Sequence, residues 1–128
     1  ANGGVIVTTD GDCIVQSGWL TSITDAFDRD VQLVVGAVRL RDDHSFFNKL
    51  QVVEFASLVG TGVATLGWGI PTMCNGANLA FRKSVFEEVN GYQGAEHIAS
   101  GDDEFLLRKV AACYPKGVRF NPLPTGVV

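Results

Sequence analysis

Apolar residues fall along the chain in two kinds of run that alternate with each other. Short runs rich in valine, isoleucine and phenylalanine predict four strands, at residues 5–9, 31–40, 78–81 and 119–121. Longer runs with apolar residues three or four positions apart predict four helices, at residues 17–28, 46–66, 85–89 and 100–113. Alternating strands and helices are typical of an α/β layered fold.

The apolar pattern is most pronounced in the middle of the chain. The strand at 31–40 is apolar on both faces, as in a sheet that helices cover on both sides. Residues 55–81 carry no charged side chain; this length suffices for a membrane span, but glycines and Pro71 interrupt it. We therefore predict a buried or interface-facing helix there. The glycine-rich loop at 67–71 that follows lines a pocket or touches a membrane surface.

Composition and charge narrow the range of functions. A chain of 128 residues, 46% of them hydrophobic, can build one domain with a sizeable core. The net charge of −4, with no stripe of lysine and arginine, argues against a nucleic-acid partner. The three cysteines have no Cys-x-x-Cys spacing, which favours free structural thiols in a reducing compartment and therefore a cytoplasmic location.

Both ends of the sequence resemble interrupted elements. Residue 1 leads directly into a predicted strand, and residues 124–128 resemble the beginning of another. We therefore expect residues 1–128 to form a single domain that is a fragment of a longer catalytic domain. A sheet edge exposed by such a truncation would allow a homodimer of the fragment.

The first acidic cluster, Asp10-Gly11-Asp12, directly follows the first predicted strand. α/β proteins bind ligands at the carboxyl ends of their strands. Two neighbouring carboxylates repel each other unless a cation lies between them, and hard oxygen ligands suit Mg²⁺ or Mn²⁺. The alternative is a solvated turn, because Asp-Gly is a common turn dipeptide.

The second acidic cluster, Asp102-Asp103-Glu104, opens the last predicted helix. Acids in a first helical turn are favoured by the helix dipole, so this cluster has a purely structural explanation. Three consecutive acids exceed what a cap requires, and crowding of like charges raises the pKa of one of them. A carboxylate with a raised pKa can act as a general base toward a hydroxyl group.

A third segment, Cys74 to Lys83, lies between the two clusters. Asn75-Gly76 is a turn signal, and Asn78 can present its amide to a ligand at the start of a strand. The alternative is an ordinary loop that enters a strand and a helix, with Arg82 and Lys83 solvated.

In this order and at these separations, the segments resemble the inverting family-2 glycosyltransferases with a GT-A fold. The matching residues are 8–12, 18–20, 76–86, 89–92 and 100–107. The resemblance implies a partial GT-A fold, similar to nucleotide-diphospho-sugar transferases, with a mixed sheet flanked by helices. It also implies that this chain is the C-terminal part of the catalytic domain and lacks the N-terminal nucleotide-binding half.

The resemblance further implies a role for each acid. Asp10 and Asp12 correspond to the DxD motif that binds Mg²⁺ or Mn²⁺ and the nucleotide diphosphate, with Asp12 preferred as the direct ligand. Asp103 corresponds to the catalytic base that deprotonates the acceptor hydroxyl, and Asp102 is the alternate candidate.

The acceptor side of the pocket is implied in the same way. Gly76, Ala77 and Asn78 correspond to its wall, and Glu104 lies beside it. The donor would be a nucleotide-diphosphate sugar, and the acceptor a hydroxyl on a carbohydrate, a lipid or a protein, as in polysaccharide biosynthesis. We expect the parent protein to be membrane-anchored, with this domain at the cytoplasmic face. We also expect the 128-residue chain to be inactive alone, because the nucleotide-binding half precedes the DxD motif in this family.

Two other classes stay open at this stage. A phosphatase of the haloacid dehalogenase type also carries a strand followed by Asp-x-Asp, although Cys13 stands where that class usually has Thr or Val. A non-catalytic cation- or sugar-binding module would use the same acids without turnover, although their spacing is not that of an EF-hand.

Overall fold

The computed structural model describes residues 2–41, 43–97 and 101–128, and its centre is a mixed sheet. Its strands are β1 (Val5–Thr8), β2 (Leu33–Gly36), β3 (Leu79–Arg82) and β4 (Val118–Asn121). Their order in the sheet is β1-β3-β2-β4. β3 is antiparallel to both of its neighbours, and β2 is parallel to β4. The predicted mixed sheet flanked by helices, consistent with a partial GT-A fold, is confirmed.

The helices follow the sequence pattern closely. They are α1 (Trp19–Ala26), α2 (Phe46–Gly67), α3 (Lys83–Glu88) and α4 (Asp102–Cys113). Short 3₁₀ turns occur at Gly76–Asn78 and Pro124–Gly126. All four predicted helices and all four predicted strands are present, and the largest difference is the strand at 31–40, of which only Leu33–Gly36 pairs as a strand.

Side chains of the central strands alternate between two apolar clusters, one on each face of the sheet. Leu33, Val35, Leu79 and Phe81 belong to the cluster that Leu106, Leu107 and Val110 of α4 complete. Val34 and Ala80 belong to the other cluster, together with Trp19, Ile23 and Ala26 of α1. Every residue of β2 is buried, so the predicted two-sided burial of this strand is confirmed.

The helix boundaries have local causes. Ser45 caps α2, because its hydroxyl oxygen accepts a hydrogen bond from the Asn48 N–H at 3.1 Å. The residue before α1 is Gly18 (φ 89°), one position after the predicted start of this helix at residue 17, and the residue before α4 is Gly101 (φ 106°). Ser100, the first residue of the helix predicted at 100–113, lies outside the described residues.

Helix α2 differs from the other helices in its exposure. It is long and apolar enough to cross a membrane by length and composition, yet only 6% of its most apolar window is buried. Of the two alternatives that the sequence left, a buried helix is therefore wrong, because the sheet covers only a narrow strip of α2. Trp68, just after the helix, is 78% exposed.

A single buried amide joins several of these elements. The Asn78 side chain is 1% exposed, and its Nδ2 donates to the carbonyl oxygens of Ala37 (2.8 Å) and Gly126 (2.6 Å). Its Oδ1 accepts from Trp19 Nε1 at 3.1 Å. Any side chain at Gly36 would overlap this amide. Asn78 therefore holds together α1, the end of β2 and the 3₁₀ turn near the carboxyl end.

We predict that Asn78→Ala lowers the free energy of unfolding by about 3 kcal/mol, because it leaves one buried donor and two buried carbonyls without their partner. The measurement is urea unfolding followed by circular dichroism. Asn2→Ala, at an exposed position, is the matched control and should change stability by less than about 0.5 kcal/mol. Equal stability of the two variants would show that the amide network does not hold the fold.

Candidate active site

The pairing of β1 with β3 places the first acidic cluster beside the glycine-asparagine segment. Thr8, the last residue of β1, pairs with Leu79, the first residue of β3, and its hydroxyl donates to the Leu79 carbonyl at 3.2 Å. Because the strands are antiparallel, the residues after Thr8 and the residues before Leu79 lie at the same edge of the sheet. Two segments that are more than sixty positions apart in sequence therefore meet at this edge.

The first cluster forms a tight turn at that edge. The Cys13 N–H donates to the Asp10 carbonyl at 3.1 Å, and this bond closes the turn over Gly11 and Asp12. One side-chain ligand atom from each of Asp10, Asp12 and Cys13 lies within 4.8 Å of the others. Both carboxylates are exposed, so a cation can reach them from solvent.

These residues fit a divalent cation. The two carboxylates are the hard oxygen ligands that Mg²⁺ and Mn²⁺ prefer, and such ions keep open positions for phosphate oxygens. Cys13 offers a softer thiol, and the sequence reasoning did not identify it as a candidate ligand. Its position directly after Asp12 was the available signal.

The second cluster reaches the same region through Gly76. The Gly76 N–H donates to the Asp103 carboxylate, on the first turn of α4. A Cβ atom at position 76 would lie 2.8 Å from Asp103 Cγ, which is closer than real Cβ contacts come. Position 76 must therefore be glycine for the Asp103 carboxylate to sit where it does. At Gly76, the predicted pocket wall therefore consists of backbone atoms.

Asp103 is the acid whose ionisation the fold disfavours. Partial burial raises its pKa above the ordinary aspartate value, and the negative charges of Asp102, Asp10 and Glu104 raise it further. The hydrogen bond from Gly76 opposes this shift. The negative charge of Asp10 is among these causes, so the first acidic cluster influences the ionisation of the second.

Two further side chains lie in the field of the acids, and the sequence analysis did not single them out. Burial, followed by the charges of Asp103, Glu104 and Asp102, raises the pKa of the Cys74 thiol to about 12. Burial and the same aspartates raise the pKa of Tyr92. At neutral pH both groups are uncharged, so Cys74 is no nucleophile and Tyr92 can donate a hydrogen bond.

The remaining predicted site residues divide into two groups. Glu104 is partly buried and contributes to the field at Asp103. Ala77 and Asn78 are buried, and the Asn78 amide is fully used in the interior. The structure therefore brings Gly76, Asp102, Asp103 and Glu104 together, with the Asp10–Cys13 turn nearby, and directs Asn78 inward.

We predict that Asp102→Asn lowers the pKa of Asp103, because it removes the largest of the repulsive charges beside it. The measurement is a pH titration of the Asp103 carboxyl carbon by ¹³C NMR. Asp25→Asn, an exposed position on α1, is the control and should leave this titration unchanged. An identical Asp103 titration in the Asp102→Asn chain would contradict the charge repulsion between these two neighbouring carboxylates.

Comparison with known proteins identifies the family of this chain. The family model of Glycosyl transferase family 2 matches residues 1–89, which include the Asp10–Cys13 turn and Gly76 but not Asp103. No curated protein and no solved structure matches the chain. Because the match covers more than half of the 128 residues, this chain belongs to glycosyltransferase family 2.

Proposed function

We propose that this chain forms part of an inverting glycosyltransferase that moves a sugar from a nucleotide-diphosphate donor to an acceptor hydroxyl. The observation that carries the proposal is the position of Asp103: a partly buried carboxylate, held by the Gly76 N–H, in the electrostatic field of Asp10. A carboxylate so placed can accept a proton at one end of a cleft whose other end suits a cation. Membership of family 2 supports sugar transfer as the reaction.

Asp103 acts as the general base in this proposal. Its carboxylate takes the proton of the acceptor hydroxyl, and the freed oxygen attacks the anomeric carbon from the face opposite the diphosphate. The raised pKa of Asp103 brings it nearer to neutral pH, which improves proton acceptance. Asp102 stays the alternate candidate; it is more exposed, and its Oδ1 accepts the Asp103 N–H at 3.1 Å.

Asp10 and Asp12 hold the divalent cation in this proposal, with Asp12 as the direct ligand. A bound Mg²⁺ or Mn²⁺ balances the charge that builds on the departing diphosphate. The exposed position of both carboxylates supports this role, because the donor must approach the same face.

The proposal includes the setting of the domain. In proteins of this resemblance a nucleotide-binding half precedes the DxD motif, so we place residues 1–128 in the second part of a longer catalytic domain. We place that parent at the cytoplasmic face of a membrane, with a hexose as the transferred sugar. The exposed apolar surface of α2 supports a membrane setting.

We predict that the 128-residue chain binds Mn²⁺ and that Asp12→Asn weakens this binding at least tenfold, because it removes one of two charged ligands. The measurement is electron paramagnetic resonance of free Mn²⁺ during titration. Asp25→Asn, an exposed acid on α1, is the matched control and should bind as the unchanged chain does. Equal affinities for all three chains would contradict a metal role for the DxD motif.

We predict that Asp103→Asn in the full-length parent lowers kcat by about 10²–10⁴-fold, because the amide cannot accept the proton. Glu87→Gln, an exposed acid on α3, is the control and should keep full activity. The measurement is transfer of radiolabelled sugar, with the anomeric configuration of the product read by NMR. The 128-residue chain assayed in parallel should show no transfer.

Each alternative to this proposal predicts a different result in the sugar-transfer assay. Full activity of Asp103→Asn together with loss in Asp102→Asn would exchange the roles of the two aspartates. Undiminished ligand binding without turnover in every chain would identify a non-catalytic module instead. Retained anomeric configuration in the product would overturn the inverting mechanism.

A further inference from the structure

An apolar groove lies between α2 and the sheet. Its walls include Phe55, Val59, Val63 and Leu66 of α2, Val35 of β2 and Phe120 of β4. Its volume is about 110 Å³, and every residue that lines it is uncharged. A groove of this chemistry favours a hydrocarbon occupant, because a polar ligand would lose its hydration without gaining partners.

The groove ends at the site already described. Cys74 and Asn75 line it and directly precede Gly76, whose N–H binds the Asp103 carboxylate. The turn is rigid at this point, because Asn75 Oδ1 accepts the Ala77 N–H at 2.9 Å. A chain lying in the groove would therefore place its polar end close to the proposed base.

The outer surface of α2 exposes large apolar side chains as well, although the charged Lys49 and Glu54 lie among them. Phe46 and Phe47 at its beginning are 79% and 70% exposed, Val53 is 65% exposed, and Trp68 follows its end. Its 22 residues span about 33 Å, comparable to the hydrocarbon thickness of a bilayer. Aromatic residues near both ends are typical of segments that contact the membrane boundary.

We propose that this groove binds the hydrocarbon chain of a lipid acceptor whose hydroxyl group lies at Asp103, while the outer surface of α2 contacts the bilayer that supplies the lipid. This inference rests on the proposed function and specifies its acceptor. In the reaction, the acceptor hydroxyl gives its proton to the Asp103 carboxylate, and its oxygen forms the bond to the anomeric carbon. The bond from that carbon to the diphosphate breaks, and its electron pair leaves with the nucleoside diphosphate.

The test uses n-octyl, n-nonyl and n-decyl β-D-glucosides, below their micelle concentrations, in isothermal titration of the 128-residue chain. We expect saturable binding with one site, tightening about fourfold for each added methylene. Val63→Trp, which fills the groove, should weaken binding at least tenfold. Val53→Trp, on the outer surface of the same helix, should change it less than twofold.

A second variant guards against misfolding of the first. Leu58 lines the groove but is 47% exposed, so Leu58→Lys places a charge at the groove without disturbing the core. It should also weaken binding at least tenfold while the circular dichroism melting curve stays unchanged. Unweakened binding in both groove variants would overturn the proposal.

A bilayer surface and a second copy of the chain are the other possible partners of this region. Each predicts a different experimental result, and either result would overturn the inference. Binding of phosphatidylcholine vesicles without saturable binding of the glucosides would show that α2 contacts a membrane and that the groove does not bind a hydrocarbon chain. A dimer in sedimentation that Val63→Trp dissociates, without glucoside binding, would make the groove an interface between two copies.

The inference and the proposed function fail in different ways. Asp103→Asn should remove transfer in the full-length parent, whereas the roughly fourfold gain in glucoside affinity for each added methylene should persist, because that gain comes from the groove. Transfer to a soluble acceptor without glucoside binding would overturn the lipid groove and keep the glycosyltransferase. Glucoside binding in a parent that transfers no sugar would overturn the proposed function.

Discussion

The side-chain amide of Asn78 fixes the geometry on which the candidate site depends. It is buried, and its three hydrogen bonds lead to α1, to the end of β2 and to the turn at Pro124–Gly126. A buried amide with all partners in place has one favourable orientation, because any rotation leaves groups unpaired in a low dielectric. The 3₁₀ turn that ends at Asn78 is therefore fixed, and Gly76, two residues earlier, is held against Asp103.

The Asp103 carboxylate that this network helps to position destabilises the folded chain when it is ionised. The pKa of Asp103 is raised in the folded chain, so folding favours its protonated form. Stability from this group is fully present below its ordinary pKa and is lost as pH rises through the raised value. At neutral pH the ionised Asp103 therefore lowers the free energy of unfolding. The packing of Leu106, Leu107 and Val110, which lie on the same helix, offsets that loss. Strain of this kind is expected at a catalytic position, where a base needs a raised pKa.

Sequence reasoning captured the elements because each has a local signal. The apolar spacing of α4 and the β-branched run of β1 predict them directly, and Ser45 caps α2 as its position implies. The proximity of Asp10 and Asp103 has no local signal, since it depends on the register of β1 with β3. The motif resemblance supplied that proximity in advance.

The role of Asn78 shows where the same reasoning reached its limit. A polar residue at a strand start is equally compatible with ligand binding and with a buried network. The choice depends on Trp19, Ala37 and Gly126, whose positions only the fold determines. The exposure of α2 could not be predicted from the hydrophobic pattern either. An apolar run indicates contact with apolar surroundings but does not show what supplies them.

The charges around the cleft explain why a cation belongs to the proposed chemistry. Among the described residues, the charged side chains that shift the pKa of Asp103 are all acids. Two cations on the site's elements are used elsewhere: Lys109 of α4 donates to three backbone carbonyls beyond α3, and Arg82, at the far end of β3, donates to the carbonyls of Val31 and Asp28. A nucleoside diphosphate would bring further negative charge into this field, and the repulsion would oppose its binding. In the proposed function, a divalent ion held by Asp10 and Asp12 would remove that repulsion at the diphosphate end of the cleft and would leave Asp103 free to accept a proton at the other end.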